Sequence, residues 1–468
     1  MKLKYIAFIF TIVTSVWFIT SCNSDTVSYS EGGGSNDAMI YSFSLKGKMT
    51  NALDSATYPT LGKTVFAINQ VFAGPNYGLI YNPDSLPYQT KLTKFLPTIS
   101  FASNTASTLE VVYPDSTVTW KAEDSIDFSQ SPIEFKVTSP GGESKTYAIK
   151  LNVHKIDPDT IDWEGGDDKP TWNISKVGAV GQRIVINKNN VYLFTLLSGG
   201  GMNVYNSDRT YVAWTGQSTD LPSVNYKLES LTIFNNTFYI VDLAGNAYKS
   251  TNAINWIKTN NTKNIYNILG VLPESTATKD SVLVMTKDGT KYYWGKTVDL
   301  NTVVDVDTIK GFSPNTITSD FLATGYSSMT NYDRTTASQN LLFVAGGRTF
   351  DGKLVADTWG ISAGRNYIME ATPAKYENNN KMFDIAEDFK MFLYDKSLYA
   401  LTNDTLYISK WGSGWSKAPQ KQALNAKMKT VKDMSVTVDE YNYIWIVGDM
   451  TGGSVYNVWR GRLNRLRK

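Results

Sequence analysis

The amino-acid sequence predicts an all-β protein in which an N-terminal β-sandwich precedes a six-bladed β-propeller. Aromatic residues make up 13% of the 468 residues, and aromatic side chains are enriched in strands. Residues 39–156 alternate apolar and polar side chains in short stretches, as half-buried strands do. After residue 163 an apolar strand recurs about every 50 residues, a period typical of propeller blades.

The N-terminus has the pattern of an export signal. Lys2 and Lys4 give a positive start to a 15-residue apolar run at residues 5–19. That run is shorter than the roughly 20 residues that a membrane-spanning helix needs. We therefore expect a signal peptide at residues 1–21.

The single cysteine, Cys22, follows this run directly. Residues 19–22 resemble the bacterial lipobox, in which the cysteine is diacylated and becomes the mature N-terminus. Acyl chains can anchor a folded domain stably to a membrane, and glycine-rich residues 22–38 would form a flexible tether. Because Asn23 replaces the aspartate that retains some Gram-negative lipoproteins, we expect the outer membrane, with the protein facing the periplasm or the cell surface.

The residue counts limit the chemistry that the chain can perform. One cysteine cannot form an internal disulfide or a cysteine-rich zinc site, and the lone His154 cannot form a paired-histidine metal site. Without residues 1–21, 43 basic residues face 43 acidic ones. This balance gives no support for nucleic-acid binding.

Residues 39–156 are predicted to form the β-sandwich. In the run 147–154, Tyr147, Ile149, Leu151 and Val153 share one face, as a half-buried strand requires. No helical stripe competes, and about 115 residues of this pattern fit an immunoglobulin-like or cadherin-like sandwich.

An acidic segment follows at residues 157–170 and is the predicted boundary between the domains. Residues 157–168 contain six carboxylates, and Pro158 and two glycines disfavour regular structure. The spacing is not that of an EF-hand, so we expect a solvated acidic hinge and no cofactor. The alternative is a weak calcium site, whose ligands would be Asp157, Asp159, Asp162 and Glu164.

The predicted propeller covers residues 171–468. Six mostly apolar strands recur after polar turns, with markers spaced by 47, 45, 59, 56 and 46 residues. These strands are residues 191–194, 238–241, 282–285, 341–344, 398–401 and 444–447. Strands buried between neighbouring blades lose the alternation of a solvent-facing strand. We predict six blades; a seventh, built from residues 303–330, is the alternative.

Two kinds of turn motif decorate these repeats. Residues 250–256 and 409–415 resemble the Asp-box turn of sialidase-like propellers, although Asn252 and Trp411 replace its acidic residue. Glycines followed about a dozen residues later by a tryptophan, at 346–359 and 448–459, resemble kelch repeats. The residues predicted to lock outer turns onto their blades are Ser250, Trp256, Ser409, Trp415, Gly346, Gly347, Trp359 and Trp459.

The chain as a whole resembles a family of gut-bacterial, Bacteroidota-type surface lipoproteins of unknown function. The resemblance rests on residues 80–87, on residues 147–159 with their Asp-Pro-Asp, and on the repeats. It implies an Ig-like sandwich joined to a kelch-like or sialidase-like propeller, and it implies no activity.

Two functions remain open from the sequence. The first is a non-catalytic platform at the cell surface that binds a glycan or a protein partner through aromatic side chains, which suit sugar faces. The second is a sialidase-like glycoside hydrolase that uses carboxylates, or a tyrosine with arginines, in the central funnel. The arginines available for such a cluster are Arg183, Arg209, Arg334, Arg348 and Arg365. We favour the platform, with catalytic residues unassigned, and with the membrane contacted through the lipid.

Overall fold

The computed structural model describes most of the chain after residue 33. The described residues are 34–47, 61–93, 95–101, 107–130, 132–210, 212–273, 280–306, 309–310, 316–332, 340–363, 369–374, 389–402, 404–410, 412, 414–450 and 453–466. The predicted signal peptide and Cys22 lie outside them. Within these ranges, no helix has the length and apolar character needed to cross a membrane. The chain divides into two compact units, residues 1–157 and 158–468.

The first unit contains two sheets. Its strands are β1 (Ile40–Gly47), β2 (Ala67–Asn69), β3 (Tyr77–Tyr81), β4 (Phe95–Phe101), β5 (Thr108–Val112), β6 (Thr117–Thr119), β7 (Ile133–Thr138) and β8 (Ser144–Lys150), with a 3₁₀ helix at Leu61–Lys63. β1 pairs antiparallel with β4, and the other strands form one sheet in the order β2-β3-β8-β7-β5-β6. Within that sheet β3 and β8 are parallel.

Both sheets of this unit contribute to one hydrophobic core. Phe43 and Leu45 from the two-stranded sheet join Ile80, Phe135 and Tyr147 from the six-stranded sheet in this buried cluster. The Tyr147 hydroxyl also accepts a hydrogen bond from the backbone amide of Ile40, at 3.0 Å. The apolar side of the alternating pattern therefore faces inward, as the sequence predicted.

The second unit is built almost entirely of short strands. They are β9 (Ile161–Gly165), β10 (Ile174–Ser175), β11 (Ala179–Asn187), β12 (Asn190–Leu197), β13 (Met202–Asp208), β14 (Trp214–Ser218), β15 (Tyr226–Phe234), β16 (Thr237–Asp242), β17 (Ala247–Ser250), β18 (Ile257–Lys258), β19 (Ile265–Leu272), β20 (Ser281–Asp288), β21 (Lys291–Thr297), β22 (Val304–Asp305), β23 (Ile309–Lys310), β24 (Leu322–Thr324), β25 (Ser327–Asn331), β26 (Leu341–Ala345), β27 (Arg348–Thr349), β28 (Thr358–Ser362), β29 (Met369–Ala374), β30 (Phe389–Tyr394), β31 (Ser397–Thr402), β32 (Thr405–Ser409), β33 (Ser416–Lys417), β34 (Val431–Val438), β35 (Ile444–Met450) and β36 (Val455–Leu463). Single 3₁₀ turns lie at Gly166–Asp168, Pro170–Trp172, Gln420–Gln422, Met428–Thr430 and Asn464–Leu466.

The larger sheets of this unit are arranged in a ring. Sheets of four or five strands begin at β11, β15, β19, β25, β30 and β34. Each of these first strands packs against the first strand of the next sheet, and β34 packs against β11 to close the circle. The predicted all-β fold with a β-propeller domain is therefore confirmed. The six apolar strands predicted from the sequence are the second strands of these sheets.

The ends of this domain meet in one sheet. β36 pairs antiparallel with β9 on residues 161–165 and with β10, so the last sheet contains strands from both ends of residues 158–468. Residues 161–165 were predicted as part of a solvated hinge at 157–170, whereas in the structure they form strand β9. The local sequence gives no sign of this strand, because its pairing partner, β36, lies almost 300 residues away in sequence.

Residues 303–330, the source of the alternative seventh blade, are shared among other sheets. β22 is the outer strand of the third sheet, β23 lies beside β29, and β25 is the first strand of the fourth. β24 forms a two-stranded sheet with β27. Among the described residues of this segment, the strands thus belong to neighbouring sheets.

Candidate functional site

The first strands of the six sheets line a central channel with a volume of about 590 Å³. Each strand contributes two or more consecutive residues to its wall. Because the wall comes from strands more than 200 residues apart, the channel is a product of ring closure. It is the cavity around which we build the candidate site.

The channel has a polar end and an apolar end. Lys390 and Asp433 lie near the N-terminal ends of their strands, and Arg183 and Glu229 lie near the middle of theirs, whereas the C-terminal halves contribute mainly aliphatic side chains. One contact joins two neighbouring strands here: the Asn267 side chain on β19 donates to Glu229 on β15 at 3.2 Å. We call the end of the channel that Arg183, Glu229, Lys390 and Asp433 line the polar mouth.

β-Bulges shape this end. Register shifts interrupt β11, β15, β19 and β34 near their N-termini. In β15 the buried Ser230 hydroxyl donates to Lys227 O at 2.6 Å and accepts from the Val241 amide at 2.9 Å, which satisfies groups that the bulge leaves unpaired. In β34 the bulge includes Asp433, whose φ is +48°. Bulges redirect side chains and are common near functional sites.

Side chains also link neighbouring strands around the ring. The Gln182 amide donates to the backbone oxygens of Asp433 and Val447 at 2.5 and 3.1 Å. The Ser327 hydroxyl accepts from the Met391 amide at 2.9 Å. These bonds satisfy backbone groups that the antiparallel pairing within each sheet does not reach, and they fix the wall of the polar mouth.

Arg183 is the cation of the mouth that the structure leaves without a hydrogen bond to any described residue. Burial lowers the pKa of its guanidinium, and the nearby Glu229 carboxylate raises it. Among the described residues no ion pair joins the two side chains directly, so they face the channel as a donor and an acceptor in proximity.

Tyr326 lies on the same wall and is buried. Its hydroxyl donates to Ile268 O at 2.8 Å. Burial and the Glu229 charge raise the pKa of this phenol well above its ordinary value. A phenol that is neutral and engaged with the backbone is a poor nucleophile.

An aromatic cluster adjoins the polar mouth. Tyr266, next to Asn267 on β19, packs edge-on against Tyr292 with ring centroids 4.8 Å apart, and Phe350 lies 4.1 Å from Tyr292. All three rings are partly exposed. Burial raises the pKa of Tyr266, as do the charges of Tyr292 and Glu229, which places this ring electrostatically close to the mouth.

Lys227 contacts the aromatic cluster through Tyr266. Its ammonium group lies 3.7 Å from the centroid of the Tyr266 ring and donates to Tyr266 O. Desolvation by burial lowers the pKa of Lys227 to about 8, against the opposing effect of Glu229 and Asp242. The contact combines cation–π attraction with a hydrogen bond and fixes the orientation of Tyr266.

Of the five arginines available for a cluster, the three that the structure describes do not share one site. Arg183 lines the channel, but Arg209 is buried elsewhere with Asn189 and Glu440, and Arg348 donates to Gly352 O. Arg334 and Arg365 lie outside the described residues. Sequence reasoning had also not singled out Glu229, Tyr266 or Tyr292, because no local motif marks them.

Two carboxylates of the alternative calcium site form ion pairs. Glu164 pairs with Arg460 at 2.6 Å, and Asp159 pairs with Lys421 at 3.2 Å. Within the part of the chain that the structure describes, no group of three or more His, Cys, Asp or Glu side chains is arranged to hold a metal ion.

The turn at residues 250–256 has the hydrogen bonds of a side-chain-capped turn. The Asn252 side-chain oxygen accepts from the amides of Ile254 and Asn255 at 3.0 and 2.9 Å. Ala253 has φ +67°, and the buried Trp256 indole donates to Ala253 O at 3.0 Å. Asn252 therefore performs the bonding expected of the missing acidic residue.

The other predicted locking residues are buried in corresponding places. In the turn after β32, Ser409 accepts from the Gly412 amide at 2.9 Å, and Trp415 is buried. Trp359 packs against Phe321 with centroids 4.9 Å apart. Trp459 covers Gly166, where an added Cβ would meet its ring at 2.6 Å. Gly346 and Gly347 both have positive φ, of +69° and +85°.

A third turn of the same kind follows β21 and was missed in the sequence. Asp299 accepts from the amides of Asn301 and Thr302 at 2.9 and 3.1 Å, and the buried Leu300 has φ +60°. Thr297 occupies the place of the serine, and its hydroxyl accepts from the Leu300 amide at 2.9 Å. With threonine, leucine and valine in place of serine, glycine and tryptophan, only the acidic residue remained as a signal.

Two family descriptions match the chain. Residues 157–467 match the "DUF6242 beta propeller domain", and residues 43–151 match the "Domain of unknown function (DUF6242) N-terminal domain". No curated protein matches it significantly.

Several solved β-propellers are similar in structure. One is a catalytically inactive virginiamycin B lyase from Staphylococcus aureus with quinupristin, at 8% identity, covering 84% of this chain and 99% of that chain with a TM-score of 0.36. Another is AofleA from Arthrobotrys oligospora, at 11% identity, covering 69% and 88% with a TM-score of 0.38. Similarity at this level gives no information about the activity of this chain.

Proposed function

We propose, from the premise that the chain belongs to the DUF6242 family, that its propeller is a non-catalytic binding platform for a glycan. In this proposal the propeller has six blades and the N-terminal domain is an Ig-like β-sandwich. Cys22 carries the lipid that anchors both to the bacterial outer membrane. The ligand binds at the polar mouth and the aromatic cluster beside it.

The partly exposed cluster of Tyr266, Tyr292 and Phe350 carries this proposal. Aromatic rings present flat apolar area to the C–H face of a sugar, and tyrosine adds a polar tip. Lys227 and the packing of the three rings hold the cluster in place before a ligand arrives, which lowers the entropic cost of binding.

The chemistry of the mouth favours binding over cleavage. Tyr326 is engaged with Ile268 O, so it is not poised as a nucleophile. Among the described channel-lining residues the carboxylates are Glu229 and Asp433, and the first already accepts from Asn267. A glycoside hydrolase that uses these two acids is the second candidate, since both face one channel.

A glycan panel tests the proposal on the purified chain, with binding and product release measured in the same samples. We expect binding without turnover, and we expect Tyr292→Ala to weaken binding by about 10-fold, since ring stacking is worth on the order of 1 kcal/mol or more. Tyr332→Ala is the matched control. Tyr332 is also an exposed tyrosine, with 50% of its surface accessible, but it follows the C-terminal end of β25, away from the polar mouth.

Two results would contradict the platform. Release of any sugar product that Glu229→Gln abolishes would establish the hydrolase instead. Equal loss of binding in the Tyr292 and Tyr332 variants would show that the aromatic cluster is not the contact surface.

A further inference from the structure

We infer that Arg183 and Glu229 form the polar contact for neighbouring hydroxyl groups of an uncharged sugar, with the aromatic cluster stacking on the same ligand. The inference rests on the proposed function and specifies its ligand class. It follows from hydrogen-bonding capacity, from charge balance and from continuity of the surface.

Hydrogen-bonding capacity points to a bridging ligand. The Arg183 guanidinium has five N–H donors, and among the described residues none is engaged. Glu229 uses Asn267 as one donor at 3.2 Å, and its remaining lone pairs are open to another. A sugar hydroxyl both donates and accepts, so adjacent hydroxyls can accept from Arg183 and donate to Glu229 at the same time.

Charge balance points to an uncharged ligand. Among the described residues that line the channel, two are cationic, Arg183 and Lys390, and two are anionic, Glu229 and Asp433. An acidic ligand would gain from Arg183 but would place its carboxylate in the field of Glu229, which already acts on Arg183 and Tyr266. Like charges in a partly desolvated site repel strongly, so a neutral polyhydroxylated ligand fits the pair better.

Continuity of the surface points to one ligand that contacts both features. Arg183 and Glu229 both line the channel, and Glu229 accepts a hydrogen bond at 3.2 Å from Asn267, the neighbour of Tyr266 on β19. Tyr266 then packs on Tyr292 and Phe350. The polar pair and the aromatic rings therefore form one strip at the mouth, with apolar and hydrogen-bonding parts in the combination that carbohydrate recognition requires.

The test is calorimetric titration of the purified chain with neutral gluco-, xylo- and manno-oligosaccharides and with oligogalacturonate as the carboxyl-bearing probe. We expect a neutral oligosaccharide to bind and oligogalacturonate not to. Arg183→Lys keeps the charge but loses the planar fork, and Glu229→Gln keeps the shape but loses the charge. Each should weaken binding by about 10-fold or more, the effect of losing a charge-assisted hydrogen bond.

Controls and outcomes separate this inference from the proposed function. Lys417→Gln and Asp115→Asn remove exposed charges from residues that do not line the channel and should leave affinity unchanged, and thermal melting checks that each variant folds. Preference for oligogalacturonate, or full affinity in the Arg183 and Glu229 variants while Tyr292→Ala loses binding, would overturn the inference and leave the platform standing. Absence of binding to every glycan would overturn both.

Discussion

The capped turn at Asp299 offers the sharpest test of how the blades are held. Asp299→Ala removes the acceptor for the Asn301 and Thr302 amides. A side-chain oxygen that caps such amides is worth about 0.5–2 kcal/mol. The turn also holds Leu300 at φ +60°, a conformation that is costly for a bulky residue. We therefore expect a loss of about 1–2 kcal/mol, or a fall in Tm of roughly 2–6 °C.

The chain supplies its own control for this turn. Asn252 makes the equivalent bonds in the turn after β17, so Asp299→Asn should cost clearly less than Asp299→Ala. Thermal unfolding followed by tryptophan fluorescence at pH 7 measures both. An alanine variant as stable as the unmodified protein, or an asparagine variant as unstable as the alanine variant, would refute this account of the turn.

The lowered pKa of Asp299 also predicts that the stability of the protein depends on pH. Burial tends to raise the pKa of Asp299, but hydrogen bonds from Thr302, Asn301 and Thr297 outweigh it and lower the pKa below its ordinary value. The folded state therefore holds its proton less tightly than the unfolded state, so this stabilisation is present above the unfolded pKa, near 4, and is lost as pH falls through the folded pKa. The stability difference between the protein and Asp299→Asn should shrink between pH 5 and pH 2. A difference that is constant over this range would contradict the assignment.

Three further predictions address the kelch-like glycines, Lys227 and the lipid anchor. Gly347→Ala would place a Cβ 2.7 Å from Gly325 C and Tyr326 N, whereas the Cβ of Gly352→Ala, at a similar φ of +76°, would meet no atom within 4 Å. The free energy of unfolding, measured with urea, should therefore fall by about 1–3 kcal/mol more in the first variant than in the second. Equal losses would exclude the clash as the cause. Because the pKa of Lys227 is lowered to about 8, the folded state binds fewer protons than the unfolded state between pH 8 and 10. The stability of the protein relative to Lys227→Met should rise over that range, and a flat difference would refute it. Cys22→Ser should release the protein from the membrane fraction on cell fractionation, and a retained variant would disprove lipid anchoring at Cys22.

The candidate site could be predicted from the sequence only in outline. A binding surface made of aromatic side chains was expected in loops at one face of the propeller, and Arg183 was among five arginines considered. Glu229 and Tyr266 lie on different strands, and their proximity depends on how adjacent sheets pack. Bulges in β11, β15, β19 and β34 also interrupt the simple alternation from which facing would be inferred.

The sequence by itself determined the all-β class, the propeller and its six apolar strands, because hydrophobic periodicity and repeat spacing are properties of contiguous residues. Only the tertiary structure decided that residues 161–165 pair with β36, and that Arg183, Glu229 and the aromatic cluster meet at one mouth. These are contacts between residues tens to hundreds of positions apart. They exist because the ring closes, and closure is decided by packing between sheets rather than by any local pattern.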